Sequence, residues 1–190
     1  MNFDCSPTLR FERIPIIGRI YTRNSKRFPA NVRYGDIVAG LPIPKHGCQG
    51  IYCSHVLEHL ALEDFDIALR NTHDYLAAGG TFRFVLPDLE QLARSYLADA
   101  DALAALHFME ASFLGRKHRS RGLQGLFSSW LGNSSHLWMW DEKSMALKLA
   151  EHGFAKIRRA AFGDAADKAF CEVEDKARFE GCLAMQCESI

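Results

Sequence analysis

Apolar positions between residues 62 and 77 recur at spacings of three and four. This spacing predicts an amphipathic helix with one buried face. The residues of that face are Phe65, Ala68, Leu69, Thr72 and Leu76. The pair Gly79-Gly80 follows and is expected to end the helix, because glycine readily adopts the left-handed conformation found after helix C-termini.

Short continuous apolar runs predict strands buried on both faces of a sheet. The runs "GIYCS" at 50–54 and "TFRFVLPD" at 81–88 flank the predicted helix. Strand character is also present in "NFD" near the start, in 31–37, and in the late segments "AKIRRAAF" and "GCLAMQC". Residues 7 to 31 hold three of the six prolines and are predicted to be irregular.

Three further helices are expected, near 88–97, 102–113 and 142–152. The second aligns Leu103, Leu106, Met109 and Phe113 on one face, and the third has Asp141 as N-cap and Gly153 as its stop. Strands that alternate with helices and end in a strand pair indicate an α/β sandwich with a mostly parallel sheet. The sequence therefore predicts one domain over residues 1–190.

Composition narrows the function classes. Lys plus Arg equals Asp plus Glu at 23 each, so no net charge favours nucleic acid or a membrane surface. The six cysteines form no C-x-x-C pair, and no apolar run is long enough to span a bilayer. We expect a cytoplasmic protein with free thiols; its oligomeric state stays open.

The stretch "IYCSHVLEHL" contains H-x-x-E-H, formed by His55, Glu58 and His59. Inverted zincin metalloproteases bind zinc through this motif within a helix, with a third ligand from elsewhere. Here the motif begins at the end of a predicted strand, so His55 is expected on the strand-to-helix turn. The sequence accordingly predicts no metal site, and a zinc metalloprotease remains only an alternative.

The order of motifs from 35 to 96 resembles the second half of class I S-adenosylmethionine-dependent methyltransferases, in particular the type 11-like group. The matching positions are Asp36, Leu41-Pro42, the run Ser54 to Leu60, Leu76, Gly79-Gly80 and Pro87. The resemblance implies a Rossmann-like three-layer sandwich, with a mostly parallel sheet and an antiparallel closing strand. It also implies S-adenosylmethionine as the cofactor and a small-molecule, sugar or lipid acceptor.

One family motif is absent. None of the 14 glycines forms the G-x-G-x-G loop that follows the family's first strand, and "NFD" looks like the family's second strand. The first strand is therefore expected to be missing, through truncation or a chain start assigned too far downstream. A catalytically inactive scaffold that binds a partner is the alternative this absence favours.

The resemblance also implies site residues. Asp4 would accept hydrogen bonds from the ribose hydroxyls, and the remaining cofactor contacts would come from Asp36, Ile37, Ser54 and His55. The alternative for Asp4 is capping of the turn at Ser6-Pro7.

An oxygen acceptor needs a base, for which histidine is suited. The candidate catalytic residues are His55, His59 and His136, although His59 could equally be a packing residue. Residues 113–141 hold Trp130, Trp138 and Trp140, and are expected to form either an acceptor-side lid or ordinary packing.

Overall fold

The structure, a computed structural model, describes residues 1–14, 27–115 and 135–190. The chain divides into two compact units. The first comprises residues 1–42 and 117–133, and the second comprises residues 43–116 and 134–190. The single domain expected from the sequence stays a prediction.

The first unit contains a parallel strand pair and a helix. Both segments expected to be strands near the start of the chain are present, and β1 (Asn2–Asp4) pairs in parallel with β2 (Val32–Tyr34). Helix α1 (Pro7–Arg13) follows β1. The prediction that 7–31 is irregular was wrong for the part that α1 occupies. Ser6 accepts the Thr8 N–H at 3.3 Å as N-cap, and Pro7 starts the helix where a missing N–H costs nothing.

The second unit contains the remaining helices and strands. In chain order they are β3 (Cys48–Ser54), a 3-10 turn (Leu57–His59), α2 (Leu62–Tyr75), β4 (Leu76–Pro87), α3 (Leu89–Ala98), α4 (Ala104–Ala111), α5 (Glu142–Glu151), β5 (Phe154–Arg159), a second 3-10 turn (Lys168–Glu172), α6 (Lys176–Phe179) and β6 (Cys182–Ser189). Every strand and helix predicted in this region is present. None of the described helices combines the length and the apolar character needed to cross a membrane.

The four-stranded sheet has the order β3-β4-β6-β5. Strands β3 and β4 are parallel, and β6 runs antiparallel to both β4 and β5. Three strands therefore share one direction and the last strand runs against them, which confirms the predicted closing strand. No described strand joins this sheet to the β1–β2 pair.

One sheet face carries the hydrophobic core. Phe82, Phe84 and Leu86 alternate along β4 and are at most 1% exposed, and they cluster with buried residues of α2 and α5. Asp141 forms a capping box with Ser144 at the start of α5, and Gly153 follows this helix with a φ of 84°. The N-cap and the stop predicted for α5 are confirmed.

Two details of the predicted helices were wrong. Helix α2 ends before Leu76, whose extended backbone (φ −74°, ψ 137°) starts β4, so Gly79-Gly80 lie inside the strand segment instead of ending the helix. In and beside α4, the aligned residues Leu103, Leu106, Met109 and Phe113 are 40–58% exposed, so this apolar face is not a core face.

The opposite sheet face buries a charge. Arg83 of β4 is fully buried and donates hydrogen bonds to Glu174, to Asp164 at 2.8 Å and to the Ala161 carbonyl at 2.7 Å. Glu174 is also fully buried, and its second oxygen accepts the Gly163 N–H at 2.9 Å. These bonds fasten the segment between β5 and β6 across the sheet.

Replacing Arg83 with Met is expected to lower the free energy of unfolding by about 3–5 kcal/mol, because it leaves the Glu174 carboxylate buried without its partner. Urea denaturation followed by circular dichroism measures the loss. The control is Arg94→Met, which removes an exposed pair with Glu90 and should cost less than about 1 kcal/mol. Equal losses for the two variants would contradict the structure.

Asp164 adds an acid-sensitive contribution to stability. Burial opposes its ionisation, but hydrogen bonds from Arg158 and Arg83 outweigh this and lower the pKa of Asp164 below its ordinary value. A lowered pKa stabilises the fold above the unfolded value of about 3.9, and the gain is lost as the pH falls through the folded value. The stability difference between wild type and Asp164→Asn should therefore persist from pH 7 to about pH 4 and shrink below it. A stability difference that grows on acidification would contradict the lowered pKa of Asp164. The control is Glu63→Gln, at an exposed position.

Candidate functional site

Ser54 and His55 leave the sheet at the carboxyl end of β3. Ser54 lies beside Val85 of the parallel strand β4, and the His55 N–H donates to the Val85 carbonyl at 2.9 Å. Strand β4 ends nearby at Pro87, followed by Asp88, which is 3% exposed and caps α3. In open α/β sheets, ligands bind at this edge.

His55 has an unusual backbone conformation. Its φ of 52° lies in the left-handed region, where histidine is more frequent than most residues with a side chain. The chain turns here from β3 into the 3-10 turn, as the sequence predicted for the strand-to-helix turn. In the 3-10 turn that follows, Leu57 and Glu58 are buried.

Both ring nitrogens of His55 face acceptors. Nδ1 lies 3.1 Å from Glu58 Oε1, and Nε2 lies 3.2 Å from the Arg178 carbonyl oxygen. Hydrogen bonds to the Cys182 side chain and to Glu58 raise the pKa of His55 to about 10. A doubly protonated imidazolium satisfies both acceptors, so His55 is a cation at neutral pH.

Glu58 connects the turn after β3 with a later segment of the chain. It is 0% exposed, and its backbone carbonyl accepts the N–H groups of Leu137 and Trp138 at 2.8 and 3.2 Å. These bonds attach residues 135–140 to the turn after β3. Within the described residues, Oε2 of the buried carboxylate has no hydrogen-bond partner.

The structure brings His59 and His136 together beside Glu58. Their ring centroids are 5.0 Å apart in an edge-to-face arrangement. Nδ1 of His59 lies 3.1 Å from the Ser135 carbonyl oxygen, whereas His136 forms a hydrogen bond with the Ser112 backbone. Burial lowers the pKa of His136, although the negative charge of Glu58 acts in the opposite direction. The lowered pKa favours the neutral form of His136.

Asp4 and Asp36 lie in the first unit. Asp4 Oδ1 accepts the Ser6 N–H at 2.6 Å, and Asp36 Oδ1 accepts the Val38 N–H at 2.8 Å, so each carboxylate stabilises a turn. The pKa of Cys5 is raised mainly by burial of its thiol and further by the negative charges of Asp36 and Asp4. Both carboxylates therefore lie near this thiol. Ile37 follows Asp36 in the same turn.

The three tryptophans have different surroundings. Trp140 is 3% exposed and stacks on Phe65 of the core at 4.2 Å between ring centroids, whereas Trp138 is 41% exposed. Trp130 and most of the expected lid lie outside the described residues.

Sequence reasoning missed two contributors to the site. Arg178 contacts both predicted residues at the end of β3, since its carbonyl accepts from His55 and its guanidinium lies 3.4 Å from Ser54 Oγ. Cys182 joins them through its bond to the His55 ring. Both come from the end of the chain, about 120 residues after β3, and no local motif marks them.

No protein-family model and no curated protein sequence matches the chain. Solved structures do. A putative methyltransferase of Haloferax volcanii, in complex with the Trm112 methyltransferase activator, is 16% identical with a TM-score of 0.50; the match covers 98% of this chain and 70% of that one. An S-adenosylmethionine-dependent methyltransferase from Archaeoglobus fulgidus is 14% identical with a TM-score of 0.48; the match covers 84% of this chain and 67% of that one.

A third structure, PigF with S-adenosylhomocysteine, is 17% identical with a TM-score of 0.44, and the match covers 84% of this chain. The chain spans 35% of the length of PigF. The likeness to the Haloferax volcanii structure is one of fold. The chain has the Rossmann-like α/β fold of class I methyltransferases, with a mostly parallel sheet, which confirms the fold predicted from the sequence.

The backbone of His55 gives a test of the site's geometry. His55→Asn and His55→Val both lose the imidazole bonds, but only valine is strongly disfavoured at a φ of 52°. We expect the valine variant to be less stable than the asparagine variant by about 1–2 kcal/mol, measured by urea denaturation. His55→Gly is the control for backbone freedom, and equal stability of all three variants would argue against the left-handed turn.

Proposed function

We propose that this chain is an S-adenosylmethionine-dependent methyltransferase that acts on a small-molecule, sugar or lipid acceptor. The observation that carries the proposal is the position of the "SHVLEHL" run. It begins with Ser54 and His55 at the carboxyl edge of parallel strands, in a chain that has the methyltransferase fold. Ligands of open α/β sheets bind at this edge.

The cofactor contacts in this proposal are the residues that the resemblance to class I methyltransferases implies. Asp4 is the last residue of β1, and Asp36 lies two residues after the end of the parallel strand β2. Each carboxylate uses one oxygen in its turn. The carboxylates would accept hydrogen bonds from hydroxyl groups of the cofactor, with Ile37 packing beside them. Ser54 and His55 would contact the cofactor from the end of β3.

Methyl transfer is an in-line displacement. The acceptor's nucleophilic atom forms a bond to the methyl carbon while the bond to the sulfonium sulfur breaks, and an acceptor hydroxyl loses its proton to a base. His55 donates from both nitrogens and has no lone pair for that proton, so we assign it to positioning. His59 and His136 each use one ring nitrogen in a hydrogen bond to the backbone. The second ring nitrogen of each can accept a proton, so these two residues are the base candidates.

A second candidate function is a scaffold that binds a partner without catalysis. It is favoured by the absence of G-x-G-x-G among the 14 glycines, since this loop lets backbone approach the cofactor's amino-acid end. Isothermal titration of the full chain with S-adenosylmethionine separates the two candidates. Heat of binding supports the enzyme, and its absence supports the scaffold.

Asp4→Asn and Asp36→Asn should each weaken S-adenosylmethionine binding by about 10- to 100-fold, the equivalent of a hydrogen bond to a charged group. The amide oxygen can still accept the Ser6 or Val38 N–H, so both turns are retained. Asp101→Asn, at an exposed aspartate with a similar turn bond to Leu103, is the matched control. Unchanged affinity in both test variants would remove these residues from the cofactor site.

A further inference from the structure

Glu58, His59 and His136 point ligand atoms at one place. One carboxylate oxygen and one nitrogen from each ring lie within 4.8 Å of one another. Ligands about 2.1 Å from a tetrahedral zinc ion lie about 3.4 Å apart, so a contraction on the order of 1 Å would bring all three into coordination range.

The hydrogen bonds around the cluster leave suitable lone pairs. His59 donates from Nδ1 to the Ser135 carbonyl, which leaves Nε2 as the nitrogen that can coordinate an ion. His136 bonds to the Ser112 backbone, while its buried Nδ1 has no hydrogen-bond partner in the described part of the chain. Metal-binding histidines are typically oriented in this way, with the second nitrogen donating to a carbonyl or carboxylate.

The Glu58 carboxylate supplies a separate observation. The residue is 0% exposed, and one oxygen is engaged by His55 while Oε2 lacks a hydrogen-bond partner among the described residues. A buried carboxylate oxygen without a partner is costly, and a coordinated cation would satisfy it. Two of the three residues in this cluster therefore each carry a buried side-chain atom without a hydrogen-bond partner among the described residues.

We propose that Glu58, His59 and His136 form a binding site for a divalent transition-metal ion, with zinc the best fit. Two imidazoles and one carboxylate form the ligand set of open zinc sites, whose remaining positions take water or substrate. The H-x-x-E-H motif contributes its last two residues, and His55 serves as the outer partner of Glu58 instead of as a ligand.

This site stands on side-chain geometry and does not require the proposed methyl transfer. The two proposals do share atoms, since the lone pairs that bind the ion are those that would make His59 and His136 bases. With an ion present, an acceptor hydroxyl bound to it would lose its proton more readily, because a bound cation lowers the pKa of its oxygen ligands.

Titration of the chelator-treated full chain with Co²⁺, followed by visible absorption, tests the site, and Zn²⁺ competition then gives the zinc affinity. We expect one equivalent to bind with d–d bands of a nitrogen and oxygen ligand set. Loss of an outer-shell partner typically costs about 10- to 100-fold in metal affinity, so His136→Gln and Glu58→Gln should cost at least about 100-fold.

The matched control is His107→Gln, which removes an exposed histidine 2.9 Å from Asp99 and should leave the affinity unchanged. Circular dichroism establishes that each variant folds, and His59→Gln replaces any variant that does not. Zn²⁺ should raise the Tm of wild type and of His107→Gln, but not that of the ligand variants.

Three results would overturn the proposal. One is a wild type that binds no Co²⁺. Another is binding that survives His136→Gln or His59→Gln within a few-fold of wild type. The last is a spectrum dominated by thiolate charge-transfer bands, which would place the ion on the free cysteines instead of on this cluster.

Discussion

The buried carboxylate of Glu58 is the constraint on which the candidate site depends. A fully buried charge requires partners, and Glu58 takes one from the imidazolium of His55. The same residue's carbonyl holds the backbone of residues 137 and 138. One residue thus fixes the histidine at the end of β3 and attaches the segment that carries His136.

The second unit has two unlike faces on one sheet. The core face is apolar and packs α2 and α5, as its periodicity predicts. The other face holds Arg83, whose charge is satisfied by Glu174, Asp164 and a carbonyl. Because these partners lie between β5 and β6, the buried arginine also sets the path of the chain that leads to Arg178 and Cys182, next to His55.

The interpretation of H-x-x-E-H changes once the fold is known. In a zincin, the motif would place both histidines on one face of a helix. Here His55 has a left-handed backbone conformation and only a 3-10 turn follows it, so His55 and His59 do not share a helix. His55 then bonds to Glu58, and His59 turns toward His136, 77 residues later in the chain. The sequence thus matches a metal-binding motif, but the residues that converge are Glu58, His59 and His136 instead of the pair His55 and His59 that the motif implies.

The sequence by itself determined the order of the strands and of helices α2 to α5, the core face of α2 and the position of His55, because these depend on local periodicity and on strand ends. It missed α1, although Ser6-Pro7 is a local N-cap signal, and it placed the end of α2 too late. The joining of Glu58, His59 and His136, the burial of Arg83 and the contact of Arg178 with Ser54 were decided by tertiary structure alone. Each depends on where a strand returns across the sheet, and hydrogen bonds between distant segments set that position.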